Sequence, residues 1–204
     1  MNETIAGAAG EFVFSEENLA KARAILDKYP PGRQASAVMP LLMLAQRQHE
    51  GWLPQPALDY VADFLGMPPI RVYEVATFYT MFKLKPIGRH HVEVCTNISC
   101  WLRGADDILA ACRERLGIGP GETTEDGLFS VSEAECLGAC VNAPMMQIGL
   151  DYYEDLTPES AKAILDQLAA GGTPKPGSQI GRTSSEPRTQ ADPVRTTPAG
   201  STHA

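Results

Sequence analysis

The chain is short of several things at once, and each shortage excludes a class of function. No uninterrupted apolar run reaches the roughly eighteen residues that a membrane-spanning helix needs. Positive charge is scarce: 17 Lys and Arg face 25 Asp and Glu, for a net charge of −8, which argues against nucleic acid as a partner. The glycines form no G-x-G-x-x-G fingerprint, and Gly7-Ala8-Ala9-Gly10 is too weak a pattern to hold a nucleotide. No cysteines stand as C-x-x-C, so a thioredoxin-type redox pair is absent. Residues 1–14 carry Glu3 and Glu11 and no basic stretch, so they fit neither a secretory signal nor an arginine-rich transit peptide. A bacterial protein in a reducing compartment is expected, where structural disulfides are rare.

What the chain does have is four of its five cysteines in two close pairs. Cys95 and Cys100 form C-x4-C; thirty-five residues later, Cys136 and Cys140 form C-x3-C. Two pairs of soft thiolates that converge on one centre point to zinc or to an iron–sulfur cluster. We read a [2Fe–2S] site, with Cys95 and Cys100 on one iron and Cys136 and Cys140 on the other. Structural zinc spacings run to about C-x4-C, so zinc stays open as an alternative, as does disulfide pairing. A Rieske centre takes two histidines in place of two thiolates. His90 and His91 lie near Cys95, but four thiols are already available, and the simpler role for both is an exposed entry to a strand. Plant-type ferredoxins share only the C-x4-C half, so a different fold is expected.

The residues around the cysteines suit an anionic cluster. Gly138 lets the backbone approach it, and Ser99 and Asn142 are polar neighbours. No Lys or Arg lies between Cys95 and Cys100 or between Cys136 and Cys140, so a low potential is expected. Cys112 sits in a helical pattern with Ile108, Leu109 and Leu116 and reads as a buried small apolar residue.

The rest of the chain divides by its periodicity. After a flexible leader, residues 1–14, four helices are expected within 15–85. Ser15 caps the first, which ends at Pro30-Pro31-Gly32. The second runs from about Ala35, or from near Met39, to His49, with Pro40 as a candidate kink. Pro56 and Pro69 open the third and fourth, about Ala57–Leu65 and Ile70–Met81. Short connections make these a bundle. Thr77 to Phe82 is either ordinary core, with Val75, Phe78 and Phe82 on one face, or an aromatic docking patch. Residues 86–172 read β-α-β-β-β-α: strands His91–Cys95, Leu128–Ser132, Met145–Ile148 and Tyr152–Glu154, a helix about Leu102–Leu116, and a last helix capped by Thr157. Residues 173–204 hold no Leu, Phe, Tyr, Trp, Met or Cys. They carry a net charge of +2 against −10 for the remainder. This segment is expected to be disordered alone and to fold onto a partner.

Taken together, these stretches resemble a known family. Ala45 to Leu53, Val75 to Tyr79, Val94 to Cys100, Glu135 to Cys140 and Asn142-Ala143-Pro144 are similar to the thioredoxin-like [2Fe–2S] ferredoxins, and among them to the E-type subunit of bacterial NADH:quinone oxidoreductase, respiratory complex I. Pro174 to Gly177, Gly181-Arg182 and Ser185 to Pro187 resemble the complex I branch rather than the related subunits of NAD-linked hydrogenases and formate dehydrogenases. The resemblance covers roughly residues 15–187. It implies an α/β fold in which a helical bundle precedes a thioredoxin-like domain, and one [2Fe–2S] cluster on Cys95, Cys100, Cys136 and Cys140. It implies a flavin subunit as partner, holding the FMN and the NADH site, along with other peripheral-arm subunits on the cytoplasmic side of the inner membrane. The implied role is one-electron exchange with that flavin, with no catalytic acid or base here. A mainly structural adaptor for the flavin subunit is the alternative.

Overall fold

The computed structural model describes residues 11–187. The chain divides into two compact units, residues 1–87 and 88–204.

The first unit is helical: α1 (Glu16–Leu26), a 3₁₀ turn (Gln34–Ala37), α2 (Val38–Gln48), α3 (Gln55–Leu65) and α4 (Pro69–Phe78). Each start has a local cause. Ser15 accepts a hydrogen bond from the Asn18 N–H at 3.3 Å, and Glu16 and Glu17 follow in the first turn, where acids suit the helix dipole. Prolines occupy the first turns of α3 and α4. Of the two starts expected for α2, the later is observed. Pro40 therefore falls in the first turn, where its missing N–H has no intrahelical acceptor to lose, and it breaks nothing. Leu41, Leu42 and Ala45 of α2, Ala57, Val61 and Ala62 of α3, and Val72 of α4 are fully enclosed and form the core.

Residues 11–14 depart from the expected loose leader. Phe12 and Phe14 are buried, edge to face with each other at 5.7 Å and with Tyr60 at 5.6 and 5.2 Å. Gln48 ties the segment down: it donates to the Val13 carbonyl at 2.7 Å and accepts from the Ser15 N–H at 2.9 Å. Residues 1–10, the rest of that leader, lie outside the described residues. α4 stops at Phe78, short of the expected Met81, because Tyr79 takes an extended backbone. Phe82 is core, but Phe78 is 77% exposed, so the core reading fails for it.

The second unit holds a five-stranded sheet of order β2-β1-β3-β4-β5. The strands are β1 (His90–Cys95), β2 (Phe129–Ala134), β3 (Met146–Ile148), β4 (Asp151–Glu154) and β5 (Gly177–Ser178). β1 pairs in parallel with β2, in a register that sets Cys95 against Ala134, and antiparallel with β3. The outer edge of β2 is covered by the loop before it: Gly121 donates to the Val131 carbonyl, and Val131 to that of Glu122. Between β1 and β2 lie α5 (Ile98–Leu102) and α6 (Ala105–Leu116), where one helix was expected. Gly104, at φ +96°, separates them; such a backbone angle is easy only for glycine. α7 (Pro158–Ala169) begins in a reciprocal capping box between Thr157 and Ser160 and packs Ala161, Ile164, Leu165 and Leu168 into the core with Val92, Val94 and Cys112.

The segment from residue 173 is not free of the domain up to residue 187. Pro174 is buried, β5 pairs in parallel with β4, and Arg182 enters a buried ion pair. Composition pointed to disorder because the segment has few large apolar side chains; polar contacts hold it instead. Residues 188–204 lie outside the described residues. Neither histidine is a plainly exposed strand entry: His90 is half-buried, and the His91 ring nitrogen Nε2 meets Ser132 Oγ at 2.8 Å.

Phe14→Ala is expected to cost about 3–5 kcal/mol, the scale for emptying a buried phenylalanine site. Val13→Ala, at an exposed position, should stay within about 0.5 kcal/mol. Urea unfolding followed by circular dichroism measures both.

Candidate metal centre

The strand pairing does the first part of building the site. Cys95 ends β1, and its N–H donates to the Met145 carbonyl at 3.2 Å; the Thr96 N–H donates to that of Ala134 at 3.1 Å. The chain leaving β1 is thereby held against the end of β2, from which the Cys136 loop departs. Cys100 follows one turn on, inside α5. Asn97 spans the two loops, its side-chain amide donating to Glu135 Oε2 at 3.1 Å. Tyr152 reaches up from β4 and donates its hydroxyl to the Leu137 carbonyl at 2.8 Å. Cys140 begins a single 3₁₀ turn, Cys140–Asn142.

Two of the four thiols form a close pair. Cys136 Sγ and Cys140 Sγ are 3.4 Å apart. Two sulfurs on one tetrahedral metal, with bonds of about 2.3 Å, would stand roughly 3.8 Å apart, so this pair is close to a chelating separation. The Cys95 and Cys140 thiols both act electrostatically on Cys100, and Cys95 acts likewise on Cys140. Among the described residues no three His, Cys, Asp or Glu side chains gather as a single-ion site would require. The donor set, four thiols with no histidine or carboxylate, fits an iron–sulfur cluster.

The halves differ in environment. Cys95 and Cys100 are 2% and 1% exposed, packed with Ala105, Ala143 and Met145, whereas Cys136 and Cys140 are exposed. Burial, with the Cys95 thiol beside it, pushes Cys100 up to about 12. The Cys136 thiol raises Cys140, against a lowering hydrogen bond from Ser99. Both shifts favour the protonated thiol in the metal-free chain, and a metal displaces those protons on binding. Cys112 is fully enclosed in the sheet-and-helix core, where burial alone raises it to about 11, and it stands apart from the other four.

Gly138 serves by conformation. Its φ is +88°, and a Cβ there would meet no protein atom within 4 Å. Asn142 turns away from simple solvent contact: it is 4% exposed, and its amide donates to Glu154 Oε2 at 2.6 Å and to the Ser184 carbonyl at 2.8 Å. Ile98, Trp101, Leu102 and Val141 surround these loops as exposed apolar side chains. The cysteine pattern gave no signal for that apolar rim, nor for Asp155 and Arg182 behind it.

Comparison with known proteins follows the same pattern. Residues 22–169 match the family model described as thioredoxin-like [2Fe–2S] ferredoxin. The E subunit of the NADH-quinone oxidoreductase of Rickettsia bellii is 60% identical over 157 residues, 77% of this chain and 94% of that protein. The protein of the same name from Rickettsia prowazekii is 54% identical over 156 residues, 76% of this chain and 88% of that one. An NAD⁺-reducing [NiFe]-hydrogenase chain shares the fold, with a TM-score of 0.56 and 22% identity over 64% of this chain; the match spans 23% of the hydrogenase chain.

In the metal-free native chain, iodoacetamide should label Cys136 and Cys140, while Cys95, Cys100 and Cys112 should react only after unfolding. Peptide mass spectrometry distinguishes the two sets.

Proposed function

The chain belongs to the thioredoxin-like [2Fe–2S] ferredoxin family, and from that membership we propose that it is the electron-transfer subunit of an NADH:quinone oxidoreductase. One [2Fe–2S] cluster is its cofactor. The observation that carries the proposal is the Cys136–Cys140 pair, 3.4 Å apart on the loop that follows β2 beside the Cys95 end of β1, in a chain 60% identical to an E-type subunit over nearly all of that protein. Cys95 and Cys100 hold one iron, and Cys136 and Cys140 hold the other.

When bound, the cluster supplies one-electron acceptance and release. The protein's own contribution is position and environment. Cys95 and Cys100 root the site in apolar core, which excludes water from that side. Cys136 and Cys140 bring the other side to the surface, where an electron donor can approach. No side chain performs acid–base chemistry. The expected donor is the FMN of a flavin subunit that also binds NADH, and the exposed rim of Ile98, Trp101, Leu102 and Val141 offers that partner an apolar seat around the exposed thiols. No helix among the described residues is long and apolar enough to cross a membrane. Attachment through partner subunits, on the cytoplasmic side of a bacterial inner membrane, accords with this.

A second reading has its own support. Phe78, Tyr79 and Met81 form an exposed apolar group on the helical unit, as a structural adaptor for neighbouring subunits would require. The two roles are compatible. The equivalent subunit of an NAD-linked hydrogenase is the rival within the family.

Visible absorption and low-temperature EPR of the purified chain, with iron counted, test the cluster assignment. About two iron per chain and a signal appearing on dithionite reduction are expected. Cys136→Ser should abolish or strongly alter that signal, and Cys112→Ala should leave it unchanged. An unaltered spectrum in Cys136→Ser would defeat the ligand assignment.

A further inference from the structure

Asp155 and Arg182 form an ion pair inside the second unit. Nη2 and Oδ1 are 2.6 Å apart, and the two side chains are 6% (Arg182) and 0% (Asp155) exposed. A pair this desolvated is weak evidence for stability, because apolar residues of the same volume often serve as well. Among the described residues Arg182 Nε is also buried without a hydrogen-bond partner. What sets the pair apart is the backbone it grips.

Arg182 Nη1 donates to the Glu186 carbonyl at 3.0 Å and, at a long 3.4 Å, to the carbonyl of Val141, the residue after Cys140. The Asp155 N–H donates to the Asn142 carbonyl at 2.7 Å, and its carboxylate accepts from Ser178 Oγ at 2.7 Å. Asp155 holds a φ of +54°, an uncommon angle for a residue with a side chain. The Asn142 amide closes the circuit onto Glu154 and the Ser184 carbonyl. Residues 177–187 thus lie behind the loop that ends in Cys140. Leu137, Gly138, Ala139, Ser184 and Ser185 line a shared cleft of about 350 Å³ between them.

We propose that Arg182 is a positioning residue for the second thiol pair: with Asp155 it locks the 177–187 arm behind Val141 and Asn142 and fixes where Cys140 presents its sulfur. The arm is then part of the cluster site while supplying no ligand to it. This rests on the assignment of Cys136 and Cys140 as ligands. Groups behind the ligands orient them and tune the metal in other proteins by the same physics.

The test uses the full chain carrying its cluster, as wild type, Arg182→Lys and a control, Arg115→Lys. Arg115 pairs with Asp166 across α6 and α7, away from the cysteine loops. Lysine keeps a cation beside Asp155 but lacks the planar fork that reaches two groups at once. Arg182→Lys should keep about two iron, shift the reduced-state g-values and the midpoint potential, and lose its visible absorption to a chelator about tenfold faster. Tenfold is the scale of one charge-assisted hydrogen bond. Arg115→Lys should match wild type. An Arg182→Lys protein that matches wild type in g-values, potential and chelation rate overturns the proposal.

Should Arg182→Lys fail to fold, hydrogen exchange on the wild-type chain decides. Coupling is reciprocal, so removing the cluster must loosen the arm. The N–H of Gln179, which donates to the Glu154 carbonyl, and that of Arg182, which donates to Ser178 Oγ, should exchange about tenfold faster without the cluster. Equal exchange overturns the clamp. A wild-type chain with no two-iron signal overturns the ligand assignment and the clamp with it, whereas a normal wild-type signal with an unresponsive Arg182→Lys overturns the clamp alone.

Discussion

The parallel pairing of β1 with β2 is the constraint on which the site depends. The two cysteine pairs are thirty-five residues apart in the chain, and only this pairing makes them neighbours. Parallel strands leave the sheet at the same end, so the loops that follow Cys95 and Ala134 emerge side by side. The crossover between the strands is filled by α5 and α6, and α5 itself carries Cys100. A slip of one residue in this register would turn Val92 and Val94 out of the core and carry Cys95 to the wrong face. Core packing and cofactor placement therefore answer to the same hydrogen-bond ladder.

From that shared origin the two thiol pairs go on to different environments. The first pair belongs to the hydrophobic core and inherits its rigidity; Cys100 is as enclosed as the leucines of the helical unit. The second pair stands at the surface on a loop with little apolar burial of its own. Its geometry is set by polar contacts to Tyr152 below and to Asn142, Asp155 and Arg182 behind. Solvent exposure and hydrogen bonding near the sulfurs are the main levers on a cluster's potential. With the cluster on the four cysteines as proposed, those levers are concentrated on the Cys136 and Cys140 half of the site.

How much of this was legible in the sequence depended on whether a residue's role is local. Ser15, Pro56, Pro69 and Thr157 mark helix starts because capping chemistry acts within a few residues, and all four were readable. The cysteine spacing announced its chemistry for the same reason. Pro40 was ambiguous because its effect turns on the position of the helix start, which a 3₁₀ turn delays. Gly104, which delays the expected helix to Ala105 and divides it from the unexpected α5, looks in the sequence like any glycine inside a helical pattern. The larger misses were tertiary. Phe12 and Phe14 are held by Gln48 and Tyr60, more than thirty residues away in sequence. The arm after residue 173 is ordered by Asp155, Glu154 and Asn142, so its polar composition, which read as disorder, is the means of its attachment.

The covered edge of β2 has a bearing on how such a chain survives before assembly. A sheet that ends in an open strand invites a second copy to add to it, backbone to backbone. Here residues 121–124 already occupy those hydrogen-bonding positions, and the opposite edge is a strand of only two residues, Gly177–Ser178. Backbone pairing through the sheet is thus blocked at the β2 edge and limited to a very short strand at the other. Association then falls mainly to side-chain surfaces, where shape and charge can tell one partner from another.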